Sequence, residues 1–87
     1  MYVVQCSDKT LYTGVTTEIS RRVREHNSPD KGAKYTKPRQ PVSLLYWTSY
    51  PDRSSALKAE HAFKKLRRKQ KDEIISSRLL QLLNETS

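Results

Sequence analysis

Hydrophobic and polar positions follow readable rhythms along most of the chain. Tyr2-Val3-Val4-Gln5-Cys6 and Leu11-Tyr12-Thr13-Gly14-Val15 are rich in β-branched and aromatic residues, which suit strands. The polar Ser7-Asp8-Lys9-Thr10 between them fits a hairpin turn. Thr16 or Thr17 is placed to cap a helix, with Glu18 in its favourable N-terminal field. Ile19 and Val23, four apart, should face the core, and the helix should end near Asn27-Ser28-Pro29. Residues 28–41 show no period and contain Pro29, Gly32, Pro38 and Pro41. A loop of that length in a small domain is more often functional than idle. Val42 to Tyr50 predicts a third strand, with Val42, Leu44, Tyr46 and Thr48 on one face and Leu45 and Trp47 on the other. Apolar character on both faces predicts a central strand. Asp52 or Ser54 should cap a helix with apolar positions Ala56, Ala59, Phe63 and Leu66, and a last helix carries Ile74, Ile75, Leu79, Leu82 and Leu83.

These elements predict an α/β fold of the α+β kind, a three-stranded antiparallel sheet in the order β-β-α-β-α-α. One domain should occupy 1–83, with a frayed tail at 84–87. Side chains alternate faces along a strand, so Tyr2 and Tyr12 share a face only if paired residue numbers sum to an even value. That requires an odd-length loop, such as Ser7-Asp8-Lys9, or a bulge.

Composition adds charge to this outline. The 87 residues hold 17 Lys+Arg and 9 Asp+Glu, for a net charge of +8. Two glycines, four prolines and one cysteine exclude collagen-like, low-complexity and disulfide-scaffold classes. No apolar run approaches the ~20 residues that span a bilayer, and no signal-peptide pattern opens the chain. With Cys6 unpaired, the expected setting is cytoplasmic and away from membranes. Cations cluster in two places. Arg21, Arg22, Arg24, Lys31, Lys34, Lys37 and Arg39 form the first group, and Lys64, Lys65, Arg67, Arg68, Lys69 and Lys71 form an acid-free second. Such a distribution points to nucleic acid as the partner, and no feature requires an obligate protein partner.

Few residues invite chemistry, and each has an ordinary structural use as well. Tyr2 and Tyr12 on adjacent strands suit a core. Gly14 weakens a strand unless something approaches its backbone closely. Arg22 and His26, four apart, project from one side of their helix, as a phosphate clamp beside a proton carrier would. A lone helical His is also common at a surface or edge. Glu60 borders the apolar stripe of its helix, where a carboxylate needs a cationic partner or a metal. No zinc-type Cys/His spacing and no Gly-rich phosphate loop occur.

Taken jointly, these positions resemble the GIY-YIG nuclease superfamily (URI domain). Tyr2-Val3-Val4 resembles its first motif and Tyr12-Thr13-Gly14 its second, ten residues on. Arg22 and His26 fall as on the family's helix, and Ala56-Leu57-Lys58-Ala59-Glu60 resembles the later helix that carries a metal-binding glutamate. Leu11-Tyr12-Thr13-Gly14-Val15-Thr16, Arg24-Glu25-His26-Asn27 and Gly32-Ala33-Lys34-Tyr35-Thr36 resemble a group of small single-domain bacterial members. Lys9 replaces that group's usual glycine, and Val15 stands where the repair branch has lysine.

The resemblance implies an endonuclease that hydrolyses DNA phosphodiesters with one Mg²⁺ or Mn²⁺ ion and little sequence specificity, structure-selective as in repair or recombination. It implies Tyr2, Tyr12, Arg22, His26 and Glu60 as catalytic, with Glu60 on the metal. Arg22 supplies fixed charge to the phosphate, and the general base stays open among Tyr2, Tyr12 and His26. Phosphate contacts are expected at Arg21, Arg24, Lys31, Lys34, Lys37, Arg39, Lys64, Lys65, Arg67 and Arg68, with DNA ahead of RNA. The rival expectation is a non-catalytic nucleic-acid-binding module with the same basic surface. A binder needs the lysines and arginines but has no use for five convergent site residues.

Overall fold

A three-residue loop sets the geometry of the sheet. In the computed structural model, the Cys6 amide donates to the Thr10 carbonyl at 2.8 Å and the Lys9 amide to the Cys6 carbonyl at 3.0 Å. Lys9 closes the loop with φ of +70°, a left-handed conformation that L residues adopt at a cost. The loop joins β1 (Tyr2–Gln5) to β2 (Leu11–Gly14), with Tyr2 opposite Gly14 and Val4 opposite Tyr12. The paired numbers sum to an even value, so Tyr2, Val4, Tyr12 and Gly14 share one face.

The structure describes residues 1–86, with side chains through residue 80. The chain continues as α1 (Ile19–His26), a 3₁₀ turn at Lys37–Arg39, β3 (Ser43–Trp47), α2 (Arg53–Lys64) and α3 (Arg68–Thr86). The sheet is antiparallel, in the order β2-β1-β3. It is the three-stranded α+β arrangement that the sequence pattern predicts. Among the described residues, no helix is long and apolar enough to cross a membrane. The tail expected to fray, 84–87, lies outside the described side chains, as do Leu82 and Leu83.

The central strand is β1, not the third strand, and β1 buries Tyr2, Val3 and Val4. β3 is an edge strand whose Ser43, Leu44 and Trp47 are exposed. Its apolar run has another cause. Val3 pairs with Tyr46 and Val4 with Leu44, so Leu45 is an extra, bulged residue. The bulge breaks the predicted alternation, and Leu45 and Tyr46 both pack against the buried cluster that contains Val3.

Helices cover the two faces of the sheet. Met1, Val3, Phe63 and Ile75 form one buried cluster, with Ala59 and Leu66 against it; Tyr2, Val4, Cys6 and Val42 form the other, joined by Tyr12, Ile19 and Val23 of the α1 side. Of the apolar residues on the last helix, Ile75 is buried, whereas Ile74 and Leu79 are exposed. α2 is capped as predicted, the Asp52 carboxylate accepting from the Ser55 amide at 2.7 Å. α1 has no side-chain cap, because the Thr16 hydroxyl binds the Glu18 amide ahead of the helix.

Candidate active site

The tightest polar cluster stands where β1, β2 and α1 meet. Tyr2 is 1% exposed and leans across the strand over Gly14. A Cβ at position 14 would lie 2.5 Å from the Tyr2 hydroxyl oxygen, which is why that strand position is glycine. The Tyr2 hydroxyl lies 2.7 Å from His26 Nε2. His26 ends α1 and is 0% exposed, unlike the surface or edge histidine that a lone helical His usually is. Tyr12, half-buried, sets its ring edgewise to His26 at 5.1 Å.

On its other side His26 meets a residue outside the predicted set. Its Nδ1 lies 2.8 Å from the hydroxyl of Thr36, which is itself 0% exposed. Tyr35 stacks on Tyr12 at 6.1 Å, and the Arg39 guanidinium sits 4.0 Å over the Tyr35 ring. Arg39 also pairs with Asp8 in the hairpin at 3.0 Å. At the loop base, Asn27 Nδ2 donates to the Val42 carbonyl and its Oδ1 accepts from the Val42 amide. The aperiodic 28–41 segment is therefore closed at its ends and docked onto the site at its middle. Threonine in an irregular loop has no period to betray it. The available signal was the Gly32-Ala33-Lys34-Tyr35-Thr36 motif.

Charge arrives from two helices. Arg22 is near enough to act on the Tyr2 hydroxyl, and it donates to Glu25 at 3.2 Å and to the Lys31 carbonyl at 3.4 Å. Glu60 comes from α2 and lies near enough for its charge to act on Tyr2. Burial pushes the Tyr2 hydroxyl above its ordinary value; Arg22 pulls it down, and Tyr12 and Glu60 push it up. Burial, then the Arg22 charge, holds His26 below its ordinary 6.5, so its ring is neutral. Arg22 stays protonated, since its interactions with Tyr2 and Glu25 outweigh the effect of burial.

The structure thus brings Tyr2, Tyr12, Arg22 and His26 together with Glu60 in electrostatic range. It does not leave all five solvent-reachable. Tyr2 and His26 are buried, while Tyr12, Arg22 and Glu60 keep partial exposure. Among the described residues, no three His, Cys, Asp or Glu side chains converge as a metal cage. Glu60 offers a single carboxylate, 20% exposed, with Lys64 at 3.6 Å. One such oxygen donor fits a hydrated hard cation that keeps most of its shell as water and phosphate.

The basic residues are mostly on the surface. Arg21, Arg24, Lys31, Lys34, Lys37, Lys64, Lys65, Arg67 and Arg68 are exposed, and Arg39 is half-buried. Arg68 donates to the Lys9 carbonyl at 2.7 Å, so the 64–71 run meets the hairpin end of the sheet, away from the Tyr2–Gly14 pair.

The model of the GIY-YIG catalytic domain family matches residues 1–73. A UPF0213 protein of Desulfotalea psychrophila is 58% identical over 66 residues, 76% of this chain and 60% of that protein. The chain therefore spans less than two thirds of that relative's length. A UPF0213 protein of Haloquadratum walsbyi is 49% identical over 74 residues, 85% of this chain and 82% of that protein. The solution structure of a UPF0213 protein from Bacillus halodurans is similar, with a TM-score of 0.55 and 37% identity over 86% of this chain and 79% of that one.

Proposed function

The chain belongs to the GIY-YIG catalytic domain family, and from that premise we propose that it is a metal-dependent endonuclease that hydrolyses DNA phosphodiesters with little sequence preference. One observation supports this most. Two tyrosines, an arginine and a histidine from three elements meet at one end of the sheet, within range of the Glu60 carboxylate that acts on Tyr2. A plain binding surface has no use for a buried tyrosine–histidine pair beside an arginine.

Each residue then takes a part that its surroundings allow. Arg22, charged and partly exposed, binds the scissile phosphate and offsets charge that builds up on it. Tyr12, the more exposed tyrosine, meets the attacking water and takes its proton while releasing its own phenolic proton to solvent. Tyr2 and His26, buried and mutually bonded, hold Arg22 and Tyr12 in place from behind. Glu60 would hold one Mg²⁺ or Mn²⁺ ion, which when bound polarises the phosphate and steadies the leaving oxygen. The exposed cations grip the phosphate backbone without reading bases, so selection falls on shape, with bent, nicked or branched DNA ahead of straight duplex. The setting that fits is cytoplasmic DNA repair or recombination.

The test is cleavage of branched, nicked, single-stranded and duplex DNA, and of RNA, with Mg²⁺ or Mn²⁺. Glu60→Ala should lose metal-dependent cutting yet still bind. Tyr12→Phe should lose at least about 100-fold in rate, more than Tyr2→Phe loses. Binding with no cutting under any metal would leave the non-catalytic module as the reading.

A further inference from the structure

The polar chain from Thr36 through His26 to Tyr2 has a direction, and Thr36 sets it. The Thr36 hydroxyl donates to the Ala33 carbonyl at 3.1 Å. Its one proton is then spent, and its oxygen can only accept from His26 Nδ1 at 2.8 Å. The Ala33 amide donates toward the same Nδ1, at 3.5 Å, the outer limit of a hydrogen bond, so the 2.8 Å contact with Thr36 governs. With Nδ1 carrying the proton, Nε2 presents its lone pair to Tyr2 at 2.7 Å, and the tyrosine donates. The Tyr2 oxygen then keeps its lone pairs free to accept from a donor on its open side. In the other tautomer Nε2–H would donate to Tyr2, and the tyrosine's own proton would point away from the ring.

We propose that Thr36 is a positioning residue that fixes the His26 tautomer, and through it which way the Tyr2–His26 hydrogen bond runs at the active site. The basic 31–39 segment is thereby part of the active site as well as a backbone grip. Gly32 permits the close docking, since a Cβ there would lie 3.1 Å from the Thr36 hydroxyl and 3.2 Å from the His26 backbone. The role in cleavage rests on the nuclease reading above, whereas the tautomer does not.

The experiment is ¹⁵N NMR of the His26 imidazole in the wild type, Thr36→Val and Thr36→Ser, alongside cleavage at saturating DNA. Wild type and Thr36→Ser should be protonated on Nδ1. Thr36→Val, isosteric but without the hydroxyl, should move the proton to Nε2 and lower the cleavage rate about 10–100-fold, as loss of an outer orienting partner does. Thr36→Ser should restore most of that rate. A wild-type ring protonated on Nε2, or a Thr36→Val ring still protonated on Nδ1, overturns the proposal. Should Thr36→Val fail to fold, Thr36→Ala takes its place with the same readout, and the wild-type tautomer is decisive alone. A protein that cuts nothing but shows the expected tautomers would fail the nuclease reading and keep the Thr36 assignment.

Discussion

At the scale of single residues, the site depends on approaches too close to tolerate a methyl group. Gly14→Ala would drive a carbon to 2.5 Å from the Tyr2 hydroxyl, which is pinned to His26 on its far side. The ring cannot retreat without breaking that bond. Overpacking of this kind costs about 1–3 kcal/mol, measurable by urea unfolding, and should remove cleavage along with the displaced tyrosine. His26 gives a second test. Burial and Arg22 hold it below 6.5 in the fold, so the unfolded chain takes up this proton at higher pH. The stability it contributes is complete above about 6.5 and is lost as pH falls through the folded value. Chemical denaturation from about pH 7 down to about pH 5 should show that loss, and His26→Gln should flatten it. Tyr2, Tyr12, Arg22 and His26 were legible because their joint spacing resembles the family's motifs; strand and helix periods alone left each of them an ordinary structural use. Thr36 and Tyr35 were not, because their docking depends on loop closure by Asn27 and Val42, which no period encodes.

Among the elements, the hairpin was the most legible. Period-two alternation puts two tyrosines on one face only with an odd loop or a bulge, and Ser7-Asp8-Lys9 supplies the odd loop. What the pattern overstated was β3. Its apolar run looked like a strand covered on both faces, but the excess comes from one bulged leucine beside an edge. Periodicity counts residues and cannot see a local two-against-one pairing. The Lys9 conformation leads to an engineering expectation. At φ of +70° glycine has no Cβ to strain, so Lys9→Gly should raise stability by about 1 kcal/mol. Thermal unfolding at matched pH checks this. The carbonyl that accepts from Arg68 is backbone and survives the change.

Over the whole molecule, positive charge is arranged around the hairpin. Arg39 reaches Asp8 from the 31–39 segment, and Arg68 reaches the Lys9 carbonyl from the α2–α3 corner. Two basic segments far apart in sequence thus meet one loop. The Tyr2–Gly14 pair lies about 13 Å along the strands from the base of that loop, at roughly 3.3 Å per residue. A duplex lying over both would place phosphates on the cations while a distortion sits at the site. Binding should weaken steeply with salt, each neutralised phosphate adding about 0.9 to the log–log slope. Replacing Lys65, Arg67 and Lys69 together with neutral residues should flatten that slope by about 0.9 for every phosphate they grip. Affinity should fall similarly across sequences, leaving the cutting rate at saturating DNA unchanged. Anisotropy titrations at several salt concentrations measure it. A sharp sequence preference that vanished in this variant would mean the run reads bases.

The bulge at Leu45 has a consequence for solubility during folding and at high concentration. β3 presents one unpaired flank, with Leu44 and Trp47 exposed beside it. A flat, regular flank of that composition would template a strand from a neighbouring copy and seed aggregation. The extra residue interrupts the even spacing of amides and carbonyls and twists the flank. A passing chain therefore finds no long register to copy.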